Sequence, residues 1–132
     1  MILKENDSDS LIYWLKTNQK LDSLTFNVFN EKFSDTLKLK LRDKQNDSLV
    51  ITTGQSKTLK FEENFILESN IPLKKTDIEK ISILNKDSLK IDFNTKLDSI
   101  INSFNLIFNK EEEQEYKIQL LPGALTDFYE NT

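Results

Sequence analysis

Apolar and polar residues alternate along much of this chain, which is the pattern of β-strands with one buried face. Between residues 37 and 41 every second residue is Leu, and the residues between them are Lys. The same period of two occurs over 24–28, 89–93, 104–108 and 116–120. Shorter apolar runs predict further strands over 11–15, 49–52, 59–61, 65–67 and 81–84. The pattern therefore predicts an antiparallel all-β fold of about ten short strands with no long helix.

The alternation also predicts which side chains face the core. The three apolar residues of the segment 24–28 are expected to point inward. Further along, Phe104, Leu106 and Phe108 are expected on the inward side of their strand and Ile107 on the opposite side.

A three-residue sequence motif recurs between these segments: Asp, then Ser or Thr, then Leu or Ile. Its six copies begin at Asp9, Asp22, Asp35, Asp47, Asp87 and Asp98. Asp and Ser side chains accept hydrogen bonds from nearby backbone N–H groups and so stabilise turns. The motif therefore predicts a turn followed by entry into a strand. Its first four copies begin 12 or 13 residues apart and its last two begin 11 residues apart, and each interval fits one strand and one turn.

Helix signals are few. Residues 76–79 read Thr-Asp-Ile-Glu, a capping box for which one helical turn is predicted. Leu97, Ile100, Ile101 and Phe104 have helical spacing, but the polar residues between them are poor helix formers. We favour a loop or a single turn there.

The composition narrows the chemistry. The 132 residues include no His, no Cys and only two Gly. The commonest general base, thiol nucleophiles, Cys-based metal sites and disulfides are therefore excluded. The two Gly lie too far apart to form a phosphate-binding loop. We expect no catalytic residues and no cofactor. The catalytic alternative is a carboxylate-based hydrolase, which needs two of the 22 acidic side chains to face each other across a cleft.

The net charge of −4 lies entirely in the second half of the sequence. Its main source is an acidic segment with Glu111, Glu112, Glu113 and Glu115. Hard cations bind several carboxylate oxygens, so these four residues form a candidate cation site, but a solvated loop between two strands is the favoured interpretation. Without a basic face, nucleic acid is not an expected partner. No apolar run approaches ~18 residues, so this segment is not expected to insert into a membrane.

Three aromatic residues form a candidate ligand surface. Tyr13 and Trp14 are adjacent, so alternation places them on opposite faces of a strand, and Tyr129 lies near the C-terminus. Packing in the core or between domains is the favoured role of Trp14. The alternative is a carbohydrate-binding module, which requires at least two of Tyr13, Trp14 and Tyr129 to be exposed and coplanar.

The second half of the chain resembles a known family. The matching stretches are Phe65–Leu67, Pro72, Ile78–Leu84, Asp87-Ser88, Leu106–Phe108 and Tyr116–Asp127. Over residues 58–132 the chain looks like the bacterial Ig-like domain of the S-layer SbsA type. The turn after that match keeps Asp127 and Asn131, whereas Glu130 stands where the family usually has Gly.

The whole chain also resembles internal segments of surface or periplasmic lipoproteins of Bacteroidetes-type bacteria. The 17 Lys against a single Arg fit an AT-rich genome of that kind. This resemblance implies an exported protein, at the cell surface or in the periplasm, whose lipid anchor lies upstream of this segment. It also implies that the partners are other envelope proteins or neighbouring domains of the same chain.

These observations predict two β units. Residues 54–132 are expected to form an Ig-like sandwich that ends one strand early. Residues 1–53 are expected to form an antiparallel unit, either separate or continuous with that sandwich, with the joint at residues 55–57 beside Gly54. The expected function is a non-catalytic structural or interaction module.

Overall fold

The structure, a computed structural model, describes residues 1–4, 10–17, 20–41, 48–98 and 102–132. Half of these residues lie in strands and 3% in helix, so the predicted all-β class without a long helix is confirmed. The strands in these ranges are β1 (Ile2–Lys4), β2 (Leu11–Tyr13), β3 (Ser23–Asn30), β4 (Phe33–Lys40), β5 (Ile51–Thr52), β6 (Phe65–Ser69), β7 (Leu73–Thr76), β8 (Ile81–Asn85), β9 (Phe93–Asp98), β10 (Ser103–Phe108), β11 (Tyr116–Leu120) and β12 (Leu125–Asp127).

The described strands pair antiparallel in five small sheets. The largest has the order β5-β6-β10-β9, and the others are the pairs β1-β2, β3-β4, β8-β11 and β7-β12. Contacts divide the chain into two compact units, one formed by residues 1–15 with 47–132 and the other by residues 16–46. The strand β5 belongs to the first unit, where it pairs with β6.

The first unit has a β-sandwich-like core. Phe104 and Leu106 are fully buried on one side of β10, and Ile107 is 37% exposed on the other, as the alternation predicted. The buried residues from several sheets form one cluster: Leu67, Leu73, Ile81, Ile83, Phe104, Leu106, Phe108, Ala124 and Leu125. A period of two in the sequence therefore identified the central strand of this core.

The second unit contains the hairpin β3–β4. Its strands pair in register from Ser23 opposite Lys40 to Asn30 opposite Phe33, with a two-residue turn between them. The Asn30 side chain accepts the Lys32 N–H at 2.9 Å and so stabilises this turn. The apolar residues of the segment 24–28 do share one face, but the expectation that all of them point inward is wrong, since Val28 is 49% exposed.

The repeated Asp-Ser/Thr-Leu/Ile motif does not precede the start of a strand at every copy. It does so at Asp22, directly before β3, but Asp35 lies inside β4. At the turn before Leu89, the Asn85 side chain accepts hydrogen bonds from the N–H groups of Asp87 and Leu89. This turn is therefore stabilised by Asn85. Asp9, Asp47, Ser99 and Ile100, which belong to three other copies, and Ile101 of the helical spacing lie outside the described residues.

Two local predictions have different outcomes. The capping box yields one 3-10 turn, Ile78–Lys80, as expected, although the side chain that caps it belongs to Asp77, whose Oδ1 accepts the Glu79 N–H at 3.2 Å. The strand predicted over 59–61 is wrong, because that segment is irregular and runs into a turn. No helix in the described ranges is long and apolar enough to cross a membrane.

Candidate functional site

The structure brings two of the three candidate aromatic residues together. The Trp14 and Tyr129 ring centroids lie 6.1 Å apart with an angle of 63° between the ring planes. The Tyr129 hydroxyl donates to the Leu15 carbonyl at 3.3 Å, and its ring also contacts Phe128 edge to face. Tyr13 is exposed on β2. Because Trp14 and Tyr129 pack edge to face, they do not form a flat stacking platform, and carbohydrate binding stays a prediction from the sequence.

The acidic segment forms the exposed loop between β10 and β11. Glu111, Glu112, Glu113 and Glu115 are all exposed there. A hydrogen bond connects the two ends of this loop, since the Glu111 backbone N–H donates to the Tyr116 side-chain hydroxyl at 2.8 Å. In the part of the chain that the structure describes, no three acidic side chains converge in a way that could hold a metal ion.

An open cleft of about 400 Å³ lies beside β8. Ile81, Ile83 and Phe93 line it together with the side chains of Glu79 and Asp92. Both carboxylates are exposed, so neither lies in the apolar, desolvated setting typical of a catalytic carboxylic acid. This cleft therefore offers no pair of carboxyl groups with distinct acid and base character, and the carboxylate-based hydrolase too stays a prediction.

The buried Asp127 and the partly buried Asn102 hold loops in place. Asp127 is fully buried, and its Oδ1 accepts the N–H groups of Tyr129 and Asn131 at 2.8 and 2.9 Å. Its Oδ2 accepts the Asn131 side-chain amide at 2.7 Å. Asn102 bridges two other segments, because it accepts the Leu73 N–H and donates to the Ser69 carbonyl. These contacts account for both side chains without a ligand.

The hairpin β3–β4 is the candidate contact surface, and the sequence did not single it out. Directly opposed residues share a face, so one face carries the apolar residues of both strands except Phe29, together with Asp35 opposite Val28. On this face Val28, Phe33, Leu37 and Leu39 are each about half exposed. The signal that could have revealed it is the strict alternation itself, which predicts an apolar face but not what covers it.

The hairpin unit also differs from the remainder of the chain in charge. Residues 16–46 carry 7 basic and 4 acidic side chains, a net charge of +3. The remaining residues carry 11 basic and 18 acidic side chains, a net charge of −7. The total of −4 therefore conceals a basic unit that presents an apolar face.

Comparisons of this chain with known protein families, with curated proteins and with solved structures found no match.

Proposed function

We propose that this chain is a non-catalytic structural and protein-interaction module of an exported bacterial envelope protein. The observation that carries the proposal is the apolar face of the hairpin β3–β4, on which four large side chains are about half exposed. Exposed apolar patches on soluble domains commonly mark interaction sites. The partner is a protein with an apolar surface, either another envelope protein or a neighbouring domain.

The distribution of polar groups supports the same proposal. The buried Asp127 carboxylate and the Asn102 amide are engaged by backbone groups of the first unit, where they fix loops. A scaffold with a rigid core is suited to presenting a contact surface. The location in the envelope is supported by the sequence resemblance of residues 58–132 to exported Ig-like domains.

Site-specific crosslinking tests this function in the bacterium that carries the gene. A photoreactive amino acid replaces Leu37 on the apolar face, and in the matched control it replaces Lys38 on the opposite face of the same strand. We expect the chain in the envelope fraction and defined protein adducts from position 37 but not from position 38. Adducts of equal yield from both positions, or a chain confined to the cytosolic fraction, would contradict the proposal.

A further inference from the structure

The two outer edges of the hairpin β3–β4 differ in what they offer to another strand. Asn30 and Phe33 close a two-residue turn and form a hydrogen-bonded pair, so bonded and non-bonded pairs alternate from there. The Leu41 N–H donates to the Asp22 carbonyl at 2.9 Å, as this alternation requires. The N–H and C=O groups that point away from the partner strand therefore belong to Ser23, Thr25, Asn27 and Phe29 on β3, and to Ser34, Thr36, Lys38 and Lys40 on β4.

The edge of β4 is protected against further pairing. Two of its outward-facing positions are Lys38 and Lys40, and Lys on an edge strand disfavours the approach of another strand. In addition, the Thr36 N–H donates to the Asp35 carboxylate at 2.8 Å, so a second strand would have to displace this bond.

The edge of β3 has none of these features. Its eight residues, Ser23–Asn30, include no charge, no Pro and no Gly. Apolar and aromatic side chains alternate with Ser, Thr and Asn over 23–28, and Phe29 follows Val28 directly. This composition favours strand pairing. In the described ranges β4 is the only strand that pairs with β3.

We propose that β3 pairs antiparallel, edge to edge, with β3 of a second copy of this chain. The contact is isologous and closes as a dimer with the strand order β4-β3-β3-β4. This inference rests on the proposed function and adds to the interaction module a second contact, with another copy of the chain, along the edge of β3. The apolar faces of the two hairpins then lie side by side as one continuous surface.

Charge explains why the same strand of a second copy is the occupant. Pairing β4 with β4 would bring the lysines of the two copies together, and like charges across a sheet are destabilising. Pairing β3 with β4 would place a neutral edge against the protected one and would leave open ends that do not close. The uncharged β3 edge is compatible with itself.

The area of the hairpin argues against a dimer formed by packing two apolar faces together. Two strands of eight residues span roughly 27 Å by 10 Å, or about 270 Å². A standard protein interface buries about 800 Å² on each partner, so face-to-face packing of two hairpins falls far short. Edge pairing adds main-chain hydrogen bonds, which supply affinity in strand addition.

Sedimentation of the full chain from micromolar to millimolar concentration tests the proposal. We expect a monomer–dimer equilibrium that Thr25→Glu weakens about tenfold, because two carboxylates then meet across the two-fold axis. Within its own hairpin the introduced carboxylate would lie opposite Lys38, which favours folding of the monomer. The control Thr36→Glu adds the same charge to the edge of β4, and we expect dimerisation to be unchanged. Mixing Thr25→Glu with Thr25→Lys is expected to restore a dimer.

A covalent readout follows from the absence of cysteine in the chain. Thr25→Cys, at the position that meets its own copy across the two-fold axis, is expected to form an intermolecular disulfide under mild oxidation, whereas Thr36→Cys on the other strand is not. A chain that stays monomeric at every concentration would overturn the proposal, and so would a dimer equally sensitive to both Glu variants. An adduct from position 37 with a different protein, together with a monomeric chain, would reject the second copy and leave the interaction module standing.

Discussion

Gly123 and Glu130 both have left-handed backbone conformations near the end of the chain, with φ of 83° and 75°, although only one of them is glycine. The buried Asp127 carboxylate explains how Glu130 is held there, because it binds the N–H groups of Tyr129 and Asn131 on either side. The Glu130 N–H also donates to the Asp127 carbonyl at 3.1 Å. The left-handed conformation of Glu130, a residue other than glycine, is thus stabilised by hydrogen bonds to Asp127.

Gly123→Ala is expected to destabilise the first unit by about 1–2 kcal/mol, because a β-carbon is disfavoured at positive φ. The added atom would also lie 2.7 Å from the Lys80 Nζ, which must move. The matched control is Gly54→Ala, where no atom lies within 4 Å of the new β-carbon and we expect little change. Urea unfolding of both variants measures the difference, and equal midpoints would refute this explanation.

At the scale of single elements, a strand could be predicted from the sequence when its own residues show the alternating pattern. The strands β3, β4, β10 and β11 follow from a period of two, which a short stretch of sequence reveals. The strand β12 has only three residues, and its partner β7 lies about fifty residues earlier in the chain. Neither strand therefore shows a local pattern from which it could be predicted. The hairpin face was predictable as apolar, but its exposure was not, because burial depends on what packs against it.

The two faces of β10 give the clearest test of this packing. Leu106→Ala is expected to cost about 2–5 kcal/mol, since Leu106 is fully buried among residues of several strands. Ile107→Ala, the neighbouring residue on the outer face, is expected to cost less than about 1.5 kcal/mol. Equilibrium unfolding followed by tryptophan fluorescence compares the variants. A larger loss at position 107 would mean that the strand is turned the other way.

At the scale of the whole molecule, the net charge of −4 is the sum of the charges of two units of opposite sign. The excess negative charge of the first unit includes four exposed glutamates on one loop, and the structure does not bring them around a common point. The loop conformation depends on the bond between the Glu111 N–H and the Tyr116 hydroxyl. The sequence could identify the acidic segment, but the convergence that a cation site needs is a property of the folded loop.

Calcium is therefore expected to leave the melting temperature unchanged relative to a sodium chloride control of equal ionic strength. A specific site would bind only the folded state and raise the melting temperature with calcium concentration. Differential scanning calorimetry with calcium and with a chelator makes the comparison. A rise that is absent from a Glu112→Gln, Glu113→Gln double variant would assign a calcium site to this loop.

The uncharged strand Ser23–Asn30 has a consequence for the chain before it folds and after it unfolds. Eight residues with aromatic and β-branched side chains, without charge, Pro or Gly, match the composition of segments that stack into cross-β fibrils. Natural sequences often flank such segments with charged residues, and here Asp22 and Glu31 stand directly at the two ends. We therefore expect these two carboxylates to oppose aggregation of the unfolded chain, and we expect Asp22→Asn with Glu31→Gln to lower the yield of soluble protein.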